Sequence, residues 1–314
     1  MSCALRFSAL LGSHPLGFLA SLGLLRKLGE WDEDSKLAFR MEDDWVAVGH
    51  TRAVCDIDEL IDKLADWVGS EVFDRLLNWA DDVRVPPGDY RHRVVSAVTD
   101  GDLVLAGFLS AMAADGAADG QKGLVKPSAF YMASGQQSFL GGMREVLRLV
   151  RASPHAAFKE ALVGPWRYRM RVHSLGWDPN TERLHALRHR APTSEKPVCI
   201  GGAVVLAFWA LPLFPAVAVR GRCSTIGFTR ENGEQYFTWP VWTIPATFDE
   251  VTSLIHSGEA AWIDQRTGRA RPGLTAIYRS RRAEFGQGYA VLRAPQVSSR
   301  ARRVNLSESD RLPS

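Results

Sequence analysis

The chain has 314 residues, 46% of them hydrophobic and 23% charged, which is the balance of a soluble globular protein. Its net charge of +3 hides a segregation: residues 1–150 hold 15 Lys+Arg against 22 Asp+Glu, and residues 151–314 hold 23 against 13. Four cysteines (Cys3, Cys55, Cys199, Cys223) without CxxC spacing exclude a disulfide framework or zinc ribbon by pattern, and no basic stretch followed by an apolar run and a cleavage site opens the chain, so a cytoplasmic protein with reduced thiols is expected.

Ala4–Leu11 reads as a short strand. Ser13 and Pro15 then start a helix to about Leu28, apolar nearly all round and so expected in the core. Gly17 and Gly23 within it permit close backbone approach, and Arg26 and Lys27 fall in its last turn, where cations complement the helix dipole. Lys36–Met41 and Trp45–Thr51 alternate like the strands of a hairpin around the acidic turn Glu42-Asp43-Asp44. Asp56 caps an amphipathic helix with Glu59 three residues on. Helices are predicted over Asp89–Val98 and Leu103–Ala113, a flexible loop over Ala114–Gly123, and a strand over Pro127–Ala133. A helix from about Gln136 to Arg151 follows the turn Ser134-Gly135, placing Gln136 and Gln137 at a helix N-terminus where backbone donors could meet phosphate. Ser153-Pro154 starts another helix, to about Leu162.

Trp166–Arg190 alternates basic with aromatic or apolar residues around Asp178-Pro179-Asn180. The pattern predicts a hairpin with Arg167, Arg169 and Arg171 on one face. His173, His185 and His189 nearby lack metal-ligand spacing. Val198–Val219 contains no charge and is long enough to span a bilayer, but Gly201 and Gly202 open it and Pro212 and Pro215 close it. A helix over Ile200–Leu211 of about 18 Å is too short for a bilayer core of about 30 Å, so it is expected inside the protein. Strands at Cys223–Thr229 and Gln235–Trp239 flank Asn232-Gly233, a hairpin signal. Pro240 and Pro245 mark an edge or a loop. Thr247–Ser257 reads as a helix, Ala260–Pro272 as an arginine-rich loop, Ala276–Leu292 as two short strands, and the tail from Ser298 as disordered.

The expected fold class is therefore α+β: mixed short β-sheets with several helices, those at 15–28 and 200–211 in the core. Residues 1–150 form an acidic, mostly helical part, 151–297 a basic, strand-rich part packed on it, and 298–314 a tail.

Of the 23 cations after residue 150, all but Lys159 and Lys196 are arginine, whose planar fork suits phosphate and stacks on bases. An anionic partner is expected, nucleic acid being the commonest. The candidate contacts are Arg167, Arg169, Arg171, Arg220, Arg222, Arg279, Arg281 and Arg282, with Trp239 and Trp242 as stacking platforms and Gln136 and Gln137 at a helix start. No Walker motif, GxGxxG, GxSxG or HExxH occurs, so no cofactor, metal or catalytic residue is expected. An enzyme whose site lies near Gln136, Asp178 and the histidines, and a protein-interaction adaptor without nucleic acid, are the alternatives.

Leu11–Arg26 (LGSHPLGFLASLGLLR), Tyr131–Phe139 (YMASGQQSF), Trp177-Asp178-Pro179 with Arg183 and Ala186, Gly202–Pro215 (GAVVLAFWALPLFP) and Phe237–Trp242 (FTWPVW) together resemble proteins of type I-G (formerly I-U) CRISPR loci, both the large-subunit-like component and the helicase-nuclease extension. The resemblance spans roughly residues 5–245. Val204 departs from it, relatives often carrying Asn there, and the chain is shorter than full-size large subunits. The resemblance implies a non-catalytic antiviral-defence component that assembles with guide RNA, target DNA, other effector subunits and the helicase-nuclease, away from membranes. In such complexes base pairing supplies sequence choice while protein supplies charge and shape.

Overall fold

A computed structural model describes residues 2–133, 138–180, 197–264, 266–285 and 289–300. Strand β1 (Cys3–Leu11) leads into helix α1 (Pro15–Trp31), whose N-cap is His14: Nδ1 accepts from the Gly17 amide at 3.3 Å. Strands β2 (Lys36–Met41) and β3 (Trp45–Thr51) pair antiparallel on either side of the acidic turn, as their alternation predicts. Helix α2 (Ile57–Gly69) is capped by Asp56, which accepts from the Glu59 amide at 2.8 Å, while Glu59 reaches back to the Cys55 amide at 2.8 Å. Short helix α3 (Val72–Leu77), helices α4 (Pro87–Thr99) and α5 (Leu103–Met112), and the small antiparallel pair β4 (Ala113–Ala118) and β5 (Val125–Pro127) follow. Helix α6 (Phe139–Ala152) is capped by Ser138, and Pro154 opens α7 (Pro154–Leu162).

The charge-free stretch forms helix α8 (Gly201–Trp209), every residue of it buried, and then a 3₁₀ turn at Leu211–Leu213. The helix ends two residues before Leu211 because Pro212 takes the chain into the tighter turn. No helix among the described residues is long and apolar enough to cross a membrane. Hairpin β6 (Ala216–Val219) and β7 (Arg222–Thr225) precedes β8 (Phe228–Glu231) and β9 (Glu234–Trp242). Next come β10 (Ala246–Thr247), α9 (Phe248–Ser257), α10 (Glu259–Trp262), the short pair β11 (Ile263–Asp264) and β12 (Arg269–Ala270), and β13 (Leu274–Phe285), β14 (Tyr289–Leu292) and β15 (Gln296–Arg300).

The fold class is α+β. One sheet has the order β1-β3-β2-β10, and a second has β14-β13-β9-β8 with β15 on β13. The fourth strand of the first sheet thus comes from the basic half. A continuous apolar core runs from Leu5 to Leu292 through both halves. Its centre is the crossing of α1 and α8. A Cβ on Gly23 would fall 1.7 Å from the Leu206 carbonyl oxygen, and one on Gly202 would fall 2.5 Å from the Ala157 carbonyl oxygen. Only glycine lets three helices meet there. Because α1 runs on to Trp31, Arg26 and Lys27 lie short of its last turn and do not serve the dipole. The Arg26 guanidinium instead lies 4.6 Å from the Trp209 ring and 5.3 Å from Phe108, donating to the Trp209 carbonyl at 2.8 Å. Burial pushes its pKa below the usual arginine range, Glu30 opposing the shift.

Several local expectations change. Ala114–Gly123 is not wholly loop: its first residues belong to β4, where small side chains let β6 come close (a Cβ on Gly116 would meet Ala218 at 2.8 Å). Pro127–Ala133 is not a strand beyond Pro127. Its buried backbone is satisfied by turns and by Thr225, whose Oγ1 accepts from the Ala129 amide at 2.9 Å. Ala260–Pro272 holds α10 and the β11–β12 pair. The first of the two strands expected over Ala276–Leu292 begins earlier, at Leu274, and runs twelve residues before a short second strand, and residues 298–300 belong to β15 and not to a disordered tail. Pro240 lies in β9 opposite Ile277, beyond the reach of β8, where the missing amide costs no ladder bond.

Candidate nucleic-acid interface

The hairpin Asn232-Gly233 fixes the register of β8 on β9, with positive φ at both residues (49° and 85°). That register sets Arg230 opposite Gln235, and β9 on β13 sets Gln235 opposite Arg282. One cross-strand row therefore carries Arg230, Gln235 and Arg282. Side chains alternate between faces, so Glu231, Glu234, Tyr236, Arg279 and Arg281 belong to the opposite face. There the charges cancel internally. Arg279 donates to Glu231 at 2.7 Å and lies 3.9 Å from the Tyr236 ring, and Arg281 pairs with Glu234.

The β6–β7 hairpin turns at Arg220-Gly221, both with positive φ (50° and 72°). Arginine in the left-handed region is uncommon, and the turn holds exposed Arg220 and Arg222 at the hairpin's tip. Between this hairpin, the β4–β5 connection and the Arg230–Gln235–Arg282 row opens a groove of about 600 Å³. Arg84, Lys122, Lys126, Arg222, Arg230 and Arg282 line it against two carboxylates, Asp119 and Glu284. An adjoining depression adds Arg220.

These cations are not equivalent. Arg282 pairs with Glu284 and donates to the carbonyls of Ala129 (3.1 Å) and Tyr131 (3.2 Å), so it is a brace. Arg84 meets Asp82 at 3.2 Å and lies 5.0 Å from the Tyr131 ring. The Tyr131 hydroxyl donates to Asp82 at 2.6 Å, and burial first and Asp82 second push its pKa up. Asp119 is held below the usual carboxylate range, chiefly by the Gln121 amide. By contrast Lys122, Arg220, Arg222 and Arg230 make no ion pair with any described residue. An arrangement of exposed guanidinium and ammonium groups that outnumber the carboxylates around a concavity attracts a polyanion and can grip phosphate.

The predicted contacts separate accordingly. Arg222 and Arg282 line the groove and Arg220 the depression beside it, whereas Arg279 and Arg281 are matched by glutamates. Trp239 and Trp242 are not stacking platforms. Both are buried, their indole N–H groups donating to the carbonyls of Gly12 (2.7 Å) and Leu37 (2.8 Å) and so locking the second sheet onto the first. Arg167, Arg169 and Arg171 are exposed, but no strand forms there to set them on one face. Tyr168 takes φ 54°, and the only ladder contact among described residues is the bridge from Met170 to Cys199. None of the three lines the groove. Gln136, Gln137, His185 and His189 lie outside the described residues. Arg230, Lys122, Lys126 and Arg84 were missed by sequence reasoning. Arg230 had a signal, being two residues before Asn-Gly and hence on a fixed face.

Asp178, the centre of the enzyme alternative, is fully buried. Its Oδ1 lies 3.3 Å from His14 Nε2, while Asn180 donates to the Tyr168 hydroxyl at 3.0 Å. His14 Nε2 also lies 3.4 Å from the Asn180 side-chain nitrogen. The pair ties the start of α1 to the segment before residue 180. Among the described residues no three metal-ligating side chains converge. No family model matches the chain, and no curated protein matches it.

Proposed function

We propose that the chain is a non-catalytic nucleic-acid-binding subunit that holds a phosphodiester backbone in the groove between the β6–β7 hairpin and the end of the β8–β9–β13 sheet. The observation that carries this reading is that Lys122, Arg222 and Arg230 face a 600 Å³ groove without internal ion-pair partners among the described residues. The resemblance to type I-G CRISPR proteins supports the same reading and supplies the context: an effector assembly with guide RNA and target DNA, where protein grips backbone and base pairing selects sequence.

Arg222→Glu with Arg230→Glu is expected to weaken binding of a fluorescein-labelled single-stranded RNA or DNA by about 100-fold or more at low salt, and the loss of both contacts should reduce the salt slope by about 2. Arg279→Ala, on the neutralised face, leaves affinity within about twofold. Fluorescence anisotropy across a salt series reads both. Absence of binding at low salt by the chain, alone and with partner subunits, overturns the proposal, as does equal loss from the two faces.

A further inference from the structure

Cys3 opens β1, an edge strand of the first sheet, in register with Thr51 at the end of β3. Cys55 lies four residues further on, directly before the Asp56 cap of α2. Although 52 positions apart in sequence, their sulfurs stand 2.7 Å from one another. That is closer than two non-bonded sulfurs rest and only about 0.7 Å longer than a covalent S–S bond. Both cysteines are free, Cys55 is exposed and Cys3 is half-buried, so small reagents reach the pair from solvent. The backbone around each is fixed. The Cys55 amide donates to Glu59, and the Ser2 hydroxyl donates to the Thr51 carbonyl at 3.4 Å. The other two thiols differ: Cys199 is fully buried and Cys223 stands alone beside the groove.

We propose that Cys3 and Cys55 form a thiol–disulfide site that small-molecule disulfides of the glutathione class close reversibly. The Cys55 thiolate attacks one sulfur of the oxidised reagent, expelling one equivalent of reduced thiol. The Cys3 thiolate then attacks the Cys55 sulfur of the mixed disulfide and expels the second. The pair loses two electrons and two protons, and the reagent is reduced to two thiols. Closure ties the free edge strand to the start of α2, which restricts the unfolded chain across the intervening loop. The hydrogen bond with Cys3 raises the Cys55 pKa, burial adding to it, so closure runs faster as pH rises from 7 to 9.

The test is titration of the full chain with oxidised glutathione under native conditions. Two thiols are expected to disappear together, a non-reduced tryptic map is expected to join residues 1–6 to residues 53–63, and the thermal midpoint is expected to rise by about 5 °C and return with dithiothreitol. Cys3→Ser stops the reaction at a glutathione adduct on Cys55, and Cys55→Ser removes it. Both variants change positions near the surface and keep the fold. The inference is overturned if both thiols survive saturating reagent, if wild type stops at the adduct, or if Cys55 joins Cys199 or Cys223 instead. It is independent of the proposed binding function.

Discussion

Cations gather in two places in this molecule, and they are used in opposite ways. At the α1–α8 crossing, Arg26 and Lys27 lie among the rings of Trp31, Trp67, Phe108 and Trp209, and Glu30 meets Lys27 at 2.8 Å and accepts from the Trp209 indole at 2.9 Å. Every charge there has a ring, a carbonyl or a carboxylate. In the groove and the depression beside it, Lys122, Arg220, Arg222 and Arg230 have no ion-pair partner among described residues, although the chain spends glutamates freely on Arg279, Arg281 and Arg282 nearby. The first set is held by contacts made within the fold, whereas the second set makes no ion pair with a described residue. A count of arginines cannot separate the two uses; the partner of each one does.

The largest expected effect attacks the junction itself. Gly23→Ala puts a methyl group inside the Leu206 carbonyl, a backbone atom that cannot yield without moving α8. The expected cost is about 3–5 kcal/mol of stability, enough to leave a marginal domain unfolded. Urea denaturation measures it, and a loss below about 1 kcal/mol would mean that the helices do not cross at Gly23. Next is the comparison of single arginines. Arg26→Ala strips a buried guanidinium from two aromatic faces and leaves the Trp209 carbonyl without its donor, an expected loss of about 2–3 kcal/mol. Arg230→Ala should shift stability by less than about 0.5 kcal/mol. Equal losses from the two would erase the distinction between structural and functional cations.

The sequence disclosed much of the framework and less of the site, for reasons that particular residues make plain. Local signals carried far: the Asp56 cap, the Ser153-Pro154 start, the Asn232-Gly233 turn and the prolines after α8 each fix backbone over three or four residues, and the structure has an element boundary near each. The buried nature of α1 and α8 was legible because Pro15–Leu25 and Gly201–Trp209 carry no charged residue. What the chain alone could not show was commitment at a distance. Trp239 looked available for stacking, yet its indole is taken by Gly12, 227 positions earlier. Arg281 and Arg282 looked alike as neighbours, yet alternation sends them to opposite faces, one matched by Glu234 and the other bracing Ala129 and Tyr131. Lys122 falls in the predicted loop of small residues and Lys126 in no predicted element, because nothing local brings them to Arg222 and Arg230; the pairing of β4 with β5 and the packing of β6 on β4 do that. The strand pattern after Trp166 failed for a related reason. Alternation of exposed arginines persists there, but the backbone turns at Tyr168 and its side chain is drawn toward Asn180.

The smallest effect tests a third kind of charge, a pair that is structural but open to water. Asp32 follows α1 and accepts from the Arg52 amide at 2.8 Å and its guanidinium at 2.9 Å, with Thr51 at 3.3 Å. These bonds, the amide first, hold its pKa at about 2 against an ordinary 3.8. A carboxylate whose pKa is depressed on folding contributes stability that is complete above its unfolded value and disappears as pH falls through the folded one. The contribution of Asp32 is therefore present above about pH 4 and lost toward pH 2. Asp32→Asn should lower stability at pH 7 slightly and flatten the acid limb between pH 4 and 2, while Glu42 and Glu250, also depressed, keep part of that limb in place. Because the Arg52 side chain is more than half exposed, solvent and salt screen the pair, and 0.5 M NaCl should shrink the difference between variant and wild type. Thermal midpoints from pH 2 to 7 decide the matter. Parallel acid limbs in the two proteins would show that Arg52 does no more for Asp32 than water does, and would leave the ring-bound cations of the α1–α8 crossing as the stronger example of charge used to hold this fold.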